Sequence, residues 1–262
     1  MNYQTQVSME IKNVAIIAAK KAGKILLNLS AGKIRYKMKA KHDILAEGDI
    51  KSEKAIIDEI KRHFPTHSIL SEERGEEINK SEYLWVIDPI DGTINFSRQI
   101  EEYCISIAVE HRGKLILGLI YQPALDNLYI AEKGKGAYLN GKRITVSNEK
   151  EVINMLLATD SSSKIDTRIR NYEILAKACK EVRHIRIFGS GALHLAKIAS
   201  GNIDIYYKTK ANYWDYASGA LLIKEAGGIV TDFQGNKFSR TSKDIVASNG
   251  KTHTKILQML NR

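Results

Sequence analysis

The chain has 262 residues, 44% of them hydrophobic and 27% charged, which suits a full globular core and excludes a disordered segment. Its formal charge of +10 invites a nucleic-acid partner, but the basic residues are diffuse along the sequence. The densest patch, Lys33 to Lys41, holds five of them without the interleaved rings of a single-strand binder, so nucleic acid is not expected as the main partner; a basic surface equally attracts small anions.

Apolar residues at helical spacing predict helices over Val7 to Leu29 and Asp49 to His63, the second stopped by Phe64-Pro65. The start, Met1 to Gln6, has neither a basic nor an apolar signal region, so a cytoplasmic protein is expected. Strand-like runs follow at Ser68 to Leu70 and Tyr83 to Asp88, then a meander of Tyr103 to His111, Leu115 to Gln122 and Leu128 to Glu132. None of these runs approaches the roughly 18–20 apolar residues of a bilayer span. Cys104 and Cys179 lack ligand spacing and are expected to be reduced. Beyond about Ser147, strands at Met155 to Thr159, His184 to Phe188, Ile203 to Lys208, Gly228 to Thr231 and Ile245 to Ser248 alternate with helices over Thr167 to Lys180, Ala192 to Ser200 and Asp215 to Ala226. A helix-plus-meander half (1–146) followed by an alternating half (147–262) predicts an α/β (α+β) protein of stacked helix and sheet layers in one compact unit.

The chemistry concentrates in Trp85-Val86-Ile87-Asp88-Pro89-Ile90-Asp91-Gly92-Thr93-Ile94-Asn95-Phe96. A hydrophobic strand is expected to end on Asp88, because Pro89 cannot donate to a ladder, and the chain to turn there. Asp88 and Asp91 then face one point, with the N–H groups of Gly92 and Thr93 beside them as an anion cradle. Taken alone, the segment equally suits a strand end followed by an Asx-turn. Other acids stand at similar boundaries: Glu72 and Glu73 after the Ser68 to Leu70 strand, Asp215 at a helix start, and Asp49 before the second helix. Each also suits a solvated loop or an N-cap, and spacing leaves both open. If they converge, cations are required, since two charges about 4 Å apart repel by roughly 4 kcal/mol at an effective dielectric near 20. Oxygen-only donors suit a hard cation such as Mg²⁺.

Ser71-Glu72-Glu73, the Asp88 to Phe96 segment, and Trp214-Asp215-Tyr216-Ala217-Ser218-Gly219 through Glu225-Ala226-Gly227-Gly228 resemble, in order and spacing, the signatures of the inositol monophosphatase family. The resemblance implies a layered α-β-α-β-α sandwich of the sugar phosphatase type, Mg²⁺-dependent and Li⁺-inhibited hydrolysis of phosphate monoesters by a metal-activated water, and a homodimer or tetramer. It places Glu72, Asp88 and the Ile90 carbonyl on a first metal ion, Asp88, Asp91 and Asp215 on a second, and a weaker third beside Glu72. Thr93 and Asp49 would orient and deprotonate the water, with Glu72 as a further catalytic group. Gly92 and Thr93 would hold the phosphate beside Asp91, and Gly189-Ser190-Gly191 with Arg186 the rest of a small phosphorylated polyol or sugar.

Three departures from that family's pattern bear on function. Asp43-Ile44-Leu45-Ala46-Glu47-Gly48-Asp49 lacks the usual threonine, and Ile100-Glu101 replaces a Phe-Pro pair. Lys208 stands where inositol-specific members carry a glutamate, which suits a second phosphate and so fructose 1,6-bisphosphate, alone or together with inositol 1-phosphate. Relatives acting on 3′-phosphonucleotides usually carry Lys-Glu-Phe in place of Ile94-Asn95-Phe96 and fit less well. A scaffold binding RNA or a transcription partner is the alternative class, but such a role gives no reason to keep the acids together. Lys133-Gly134-Lys135-Gly136 lacks the Lys-Ser/Thr pair of a phosphate loop and is expected to be a turn.

Overall fold

The computed structural model describes residues 3–262, with side chains from Gln6 onward. Helix α1 (Tyr3–Ser30) buries Ile11, Ala15, Ala18, Ala22 and Leu26, which recur three or four residues apart and so line one face. A hairpin of β1 (Tyr36–Ala40) and β2 (Asp43–Ala46) leads into α2 (Glu47–His63). Next come β3 (Ser68–Ser71), β4 (Gly75–Glu77), β5 (Tyr83–Asp91), the short α3 (Thr93–Ser97), β6 (Cys104–His111), β7 (Lys114–Gln122), β8 (Asn127–Glu132), β9 (Gly136–Leu139) and β10 (Lys142–Ile144). Strands β3 to β10 form one sheet in the order β10-β9-β8-β7-β6-β5-β3-β4, with β3 and β5 parallel.

The second half runs β11 (Leu156–Ala158), α4 (Ile165–Ala178), β12 (His184–Arg186), α5 (Gly191–Ala199), β13 (Ile205–Lys208), α6 (Tyr213–Glu225), β14 (Ile229–Thr231), β15 (Ile245–Ser248) and α7 (His253–Leu260). Its sheet has the order β12-β11-β13-β15-β14. Strand alternation decides the layering, because successive side chains point to opposite faces. Leu84 and Val86 join a core with α5 and α6, whereas Trp85 and Ile87 join one with α1 and α2. In the smaller sheet Tyr206, Ile245 and Ala247 face α5 and α6, while Ile205, Tyr207 and Val246 pack with α4 and α7. Two sheets that bury both faces need three helical layers, and the result is an α-β-α-β-α sandwich.

Several elements depart from their expected bounds. Strand β5 does not stop at Asp88 but continues through Pro89 to Asp91. β1 escaped the pattern because all five of its residues are exposed, leaving no alternation to see. Strands β4, β9 and β10, of three or four residues each, are too short to show a period, and α7 is marked only by Ile256, Met259 and Leu260 at its buried face. The Lys133 to Gly136 segment is a turn between β8 and β9, and its Gly134 and Gly136 N–H groups donate to the two carboxylate oxygens of Glu225 at 2.9 and 3.0 Å, tying it to the end of α6.

Helix α6 lies against β7 so closely that a Cβ on Gly118 would meet the Ser218 carbonyl oxygen at 2.5 Å. Gly118→Ala must push the two backbones apart, and a loss of about 1–3 kcal/mol is expected. Thermal melting should register this as a drop of several degrees; an unchanged melting temperature would mean that the contact yields freely.

Candidate active site

Asp88 and Asp91 lie three residues apart on one strand, so ordinary pleating would send them to opposite faces. The ladder to β6 corrects this. Asp88 pairs with Ser106 and Asp91 with Cys104, so three steps on β5 match two on β6. One extra residue at Pro89-Ile90 makes a bulge, where the missing proline N–H costs no ladder bond, and it returns Asp91 to the face of Asp88. Asp88 is buried, and its Oδ1 accepts the Ile90 N–H at 3.0 Å. At Asp91 the strand gives way to Gly92, whose φ of +98° and close approach to the Glu102 carbonyl exclude a side chain. Helix α3 starts on the next residue, Thr93.

Parallel pairing of β3 with β5 puts Ser71 beside Ile87, so the residues that follow, Glu72 and Asp88, emerge together at one sheet edge. The Glu72 N–H extends the ladder to the Ile87 carbonyl at 3.2 Å. Asp215 arrives from the other layer. Ser106, the ladder partner of Asp88, bonds Ser218 Oγ at 2.6 Å and donates to the Trp214 carbonyl at 3.4 Å, which seats the first turn of α6 over Asp88. Glu72, Asp88 and Asp215 thus each offer a carboxylate oxygen within 4.8 Å of the other two. Asp215 is the third residue of α6, whose N-cap is Asn212, so it is not itself a cap.

These acids hold their protons unusually tightly. Burial, then Asp215, raises Glu72 to about 8 although Lys39 opposes it. Burial raises Asp215 to about 7 against the pull of Lys208, with Asp91 adding to the rise. Asp88 is pushed well above the carboxylate range by burial and by Glu72, Asp91 and Asp215. Asp91 also rises through burial, though Ser190 Oγ and the Ala192 N–H both donate to its Oδ2 at 2.6 Å. Asp91 therefore shares the field of the cluster while one of its oxygens is committed to the start of α5.

Asp49 is the third residue of α2, and its Oδ2 reaches back to accept the Ala46 N–H at 2.7 Å; it is not the N-cap. Its Oδ1 accepts from Thr93 Oγ1 at 3.2 Å, and the same hydroxyl lies 3.0 Å from the Ile90 carbonyl. Burial, with Glu73 adding, raises Asp49 to about 7.

On the opposite wall, the Ser190 hydroxyl of the Gly189-Ser190-Gly191 turn is already engaged with Asp91, and the Gly189 N–H donates to Asp160 Oδ1 at 3.2 Å. Gly191, the first residue of α5, lies against the Tyr216 ring. Lys208 does not point to solvent. Its Nζ lies 5.8 Å from the centre of the Tyr216 ring, and although burial favours the neutral amine, Tyr216, Asp160 and Asp215 push its pKa upward. Arg186 is exposed and donates to the Ile185 carbonyl, away from these contacts.

Three further residues shape the site without having been singled out in the sequence. Lys39, within the basic patch, brings its ammonium to Glu73 and to within 3.7 Å of Glu72. Glu53, buried in α2, accepts from the Ser71 hydroxyl and from the N–H groups of Glu73 and Arg74 at 3.2 and 3.1 Å, fixing the turn that carries Glu72. Asp160, two residues past β11, accepts from Tyr206 Oη at 2.6 Å; the Phe188 N–H on His194 Nε2 leaves the ring proton on Nδ1, 3.3 Å from Asp160 Oδ1. An acid just past the C-terminal end of a parallel strand was the available signal for Asp160, the same one that marks Glu72.

Residues 8–262 match the family model described as the inositol monophosphatase family. A Thermotoga maritima protein named fructose-1,6-bisphosphatase/inositol-1-monophosphatase is 38% identical over 219 residues, covering 84% of this chain and 83% of its own. The Nus factor SuhB of Escherichia coli K12 is 36% identical over 241 residues, 90% of each chain. The crystal structure of the extragenic suppressor protein suhB from Bartonella henselae superposes with a TM-score of 0.92 at 34% identity, over 97% of this chain and 99% of that one. The chain belongs to the inositol monophosphatase family and is a phosphoric monoester hydrolase.

Proposed function

We propose that the protein hydrolyses the phosphate monoester of a small polyol or sugar, inositol 1-phosphate and fructose 1,6-bisphosphate, with two or three Mg²⁺ ions at the acid cluster. One observation carries this: Glu72, Asp88 and Asp215 come from three different elements to within 4.8 Å, in surroundings where carboxylates alone would stay protonated. Lys39 and Lys208 leave most of the charge of Glu72, Glu73, Asp88, Asp91 and Asp215 uncompensated, and the donors are all oxygen, which fits Mg²⁺. Glu72, Asp88, Asp91, Asp215 and the Ile90 carbonyl would hold the ions, with competition by Li⁺ expected. When bound, Mg²⁺ supplies Lewis acidity to the phosphoryl oxygens and lowers the pKa of water.

The remaining work falls to this chain's side chains. Thr93 Oγ1 orients the attacking water, and Asp49, poised near neutrality, takes its proton through that hydroxyl. Gly92 and Thr93 offer N–H groups to the phosphate. Gly189, Ser190 and Gly191 form the far wall, Ser190 chiefly by holding Asp91 in place, and Arg186, exposed outside it, would have to turn inward to meet a substrate. Lys208 is held charged beside Asp215 and the Tyr216 ring, which favours a substrate with a second phosphate. Lys208→Gln should lower kcat/KM for fructose 1,6-bisphosphate by about tenfold, the worth of one charge-assisted contact, and leave inositol 1-phosphate nearly unaffected. Equal effects on both substrates would remove Lys208 from phosphate recognition.

A homodimer, or a tetramer, in the cytoplasm completes the proposal. Among the described residues no helix is long and apolar enough to cross a membrane. The relative named a Nus factor raises a binding role for this scaffold, but binding alone would leave the acid cluster without a purpose.

A further inference from the structure

A second cavity, of about 870 Å³, opens beside α6 and contains none of the acids above. Tyr213, Ala220, Leu221 and Lys224 line it at helical offsets of seven, eight and eleven, so one face of α6 forms a wall. Asp215, about 200° further around the helix than Tyr213, looks elsewhere. The volume falls within the usual range for small-molecule sites.

The lining divides by chemistry. Lys114, Lys133, Lys224, Lys237 and Arg240 supply five cations. Arg240 is paired with Glu76, but the four lysines make no ion pair among the described residues. The one acid in the lining, buried Glu110, already accepts the Tyr213 hydroxyl. The accessible apolar part of the lining is Leu115, Ile229 and Val230, backed by the buried rings of Tyr213 and Phe238. Unpaired lysines around a concave, partly apolar surface focus a positive potential on whatever enters. The exposed aliphatic surface beside them gives the flat, apolar part of an organic anion a place to lie.

We propose that this cavity binds an organic polyphosphate bearing an aromatic ring, the chemistry of a nucleoside triphosphate. Phosphates would lie against Lys114, Lys133, Lys224 and Lys237, and the ring against Leu115, Ile229 and Val230. The site is separate from the acid cluster, so the proposal stands or falls independently of the phosphatase substrate.

Calorimetric titration with ATP in EDTA tests it, since without divalent ions the acid cluster repels anions. One saturable site is expected, with affinity falling as salt rises. Lys224→Ala/Lys237→Ala, which alters only exposed side chains, should weaken binding by about tenfold or more, the loss of two charge-assisted contacts, with melting temperature confirming the fold. Inorganic tripolyphosphate should bind more weakly than ATP because it lacks the ring. No binding of ATP at millimolar concentration, or undiminished binding by the double variant, would overturn the proposal. Tripolyphosphate binding as tightly as ATP would overturn the assignment of the apolar wall.

Discussion

Asp88→Asn should reduce Mg²⁺-dependent phosphate release by about a thousandfold or more and, at pH 8 in EDTA, raise the melting temperature. The two effects have opposite signs because one carboxylate does two things. With metal, Asp88 is the shared donor at the centre of the cluster, and losing a buried charge partner costs about 3–5 kcal/mol, near three factors of ten in rate. Without metal the same carboxyl group is a liability: buried and facing Glu72, Asp91 and Asp215, it must either hold a repelled charge or keep a proton at a pH where the unfolded chain gives it up. Asparagine keeps an acceptor for the Ile90 N–H, fits the same space and carries no charge. Relief of about 1–2 kcal/mol corresponds to roughly 2–6 °C for a chain of this size. Activity assays and melting curves with and without Mg²⁺ read both signs. Retained turnover would remove Asp88 from the metal site, and a lower metal-free melting temperature would mean that the carboxyl group costs the metal-free fold nothing.

What could be read from the sequence was whatever one segment decides by itself. Trp85 to Ile87 is apolar on both faces, so a doubly covered strand was legible, and so was the amphipathic period of α1 and α2. Pro89 was misjudged because a bulge belongs to a pair of strands: only the register of Asp88 and Asp91 against Ser106 and Cys104 shows where the extra residue sits. The acids were legible as a set through family resemblance, but their convergence depends on the parallel β3–β5 pair and on Ser106 seating α6, neither of which has a local signature. Lys39 was counted as part of a diffuse basic patch, and only the hairpin fold brings it to Glu72 and Glu73. Ser190 was expected to face a polyol, whereas its hydroxyl holds Asp91, a contact across 99 positions of sequence.

The metal-free protein should lose stability as pH rises from 6.5 to 9, and Mg²⁺ should restore it most at the alkaline end. Glu72 at about 8, and Asp215 and Asp49 at about 7, lie far above the 4.5 and 3.8 of free side chains. Between those limits the folded chain binds more protons than the unfolded one, so the derivative of unfolding free energy with pH is negative. The stabilisation is therefore complete below about pH 4 and disappears as pH climbs through 7 to 8, at about 1.4 kcal/mol per pH unit for each proton retained. Other groups work at lower pH. Burial lowers His67 and His253 below 6.5, which makes stability rise with pH up to that value. Acids such as Glu59 and Asp126, lowered by their lysine partners, matter only in the range below about 4.5. Starting at pH 6.5 isolates the cluster. Mg²⁺ at a hundred times its dissociation constant adds about 2.7 kcal/mol, on the order of 5–10 °C here, and the increment should shrink toward pH 6 as protons compete for the same oxygens. A gap between the Mg²⁺ and EDTA melting curves that stays constant from pH 6.5 to 9 would show that the carboxylates are ionised throughout, and the charge argument for metal at this site would fail with it.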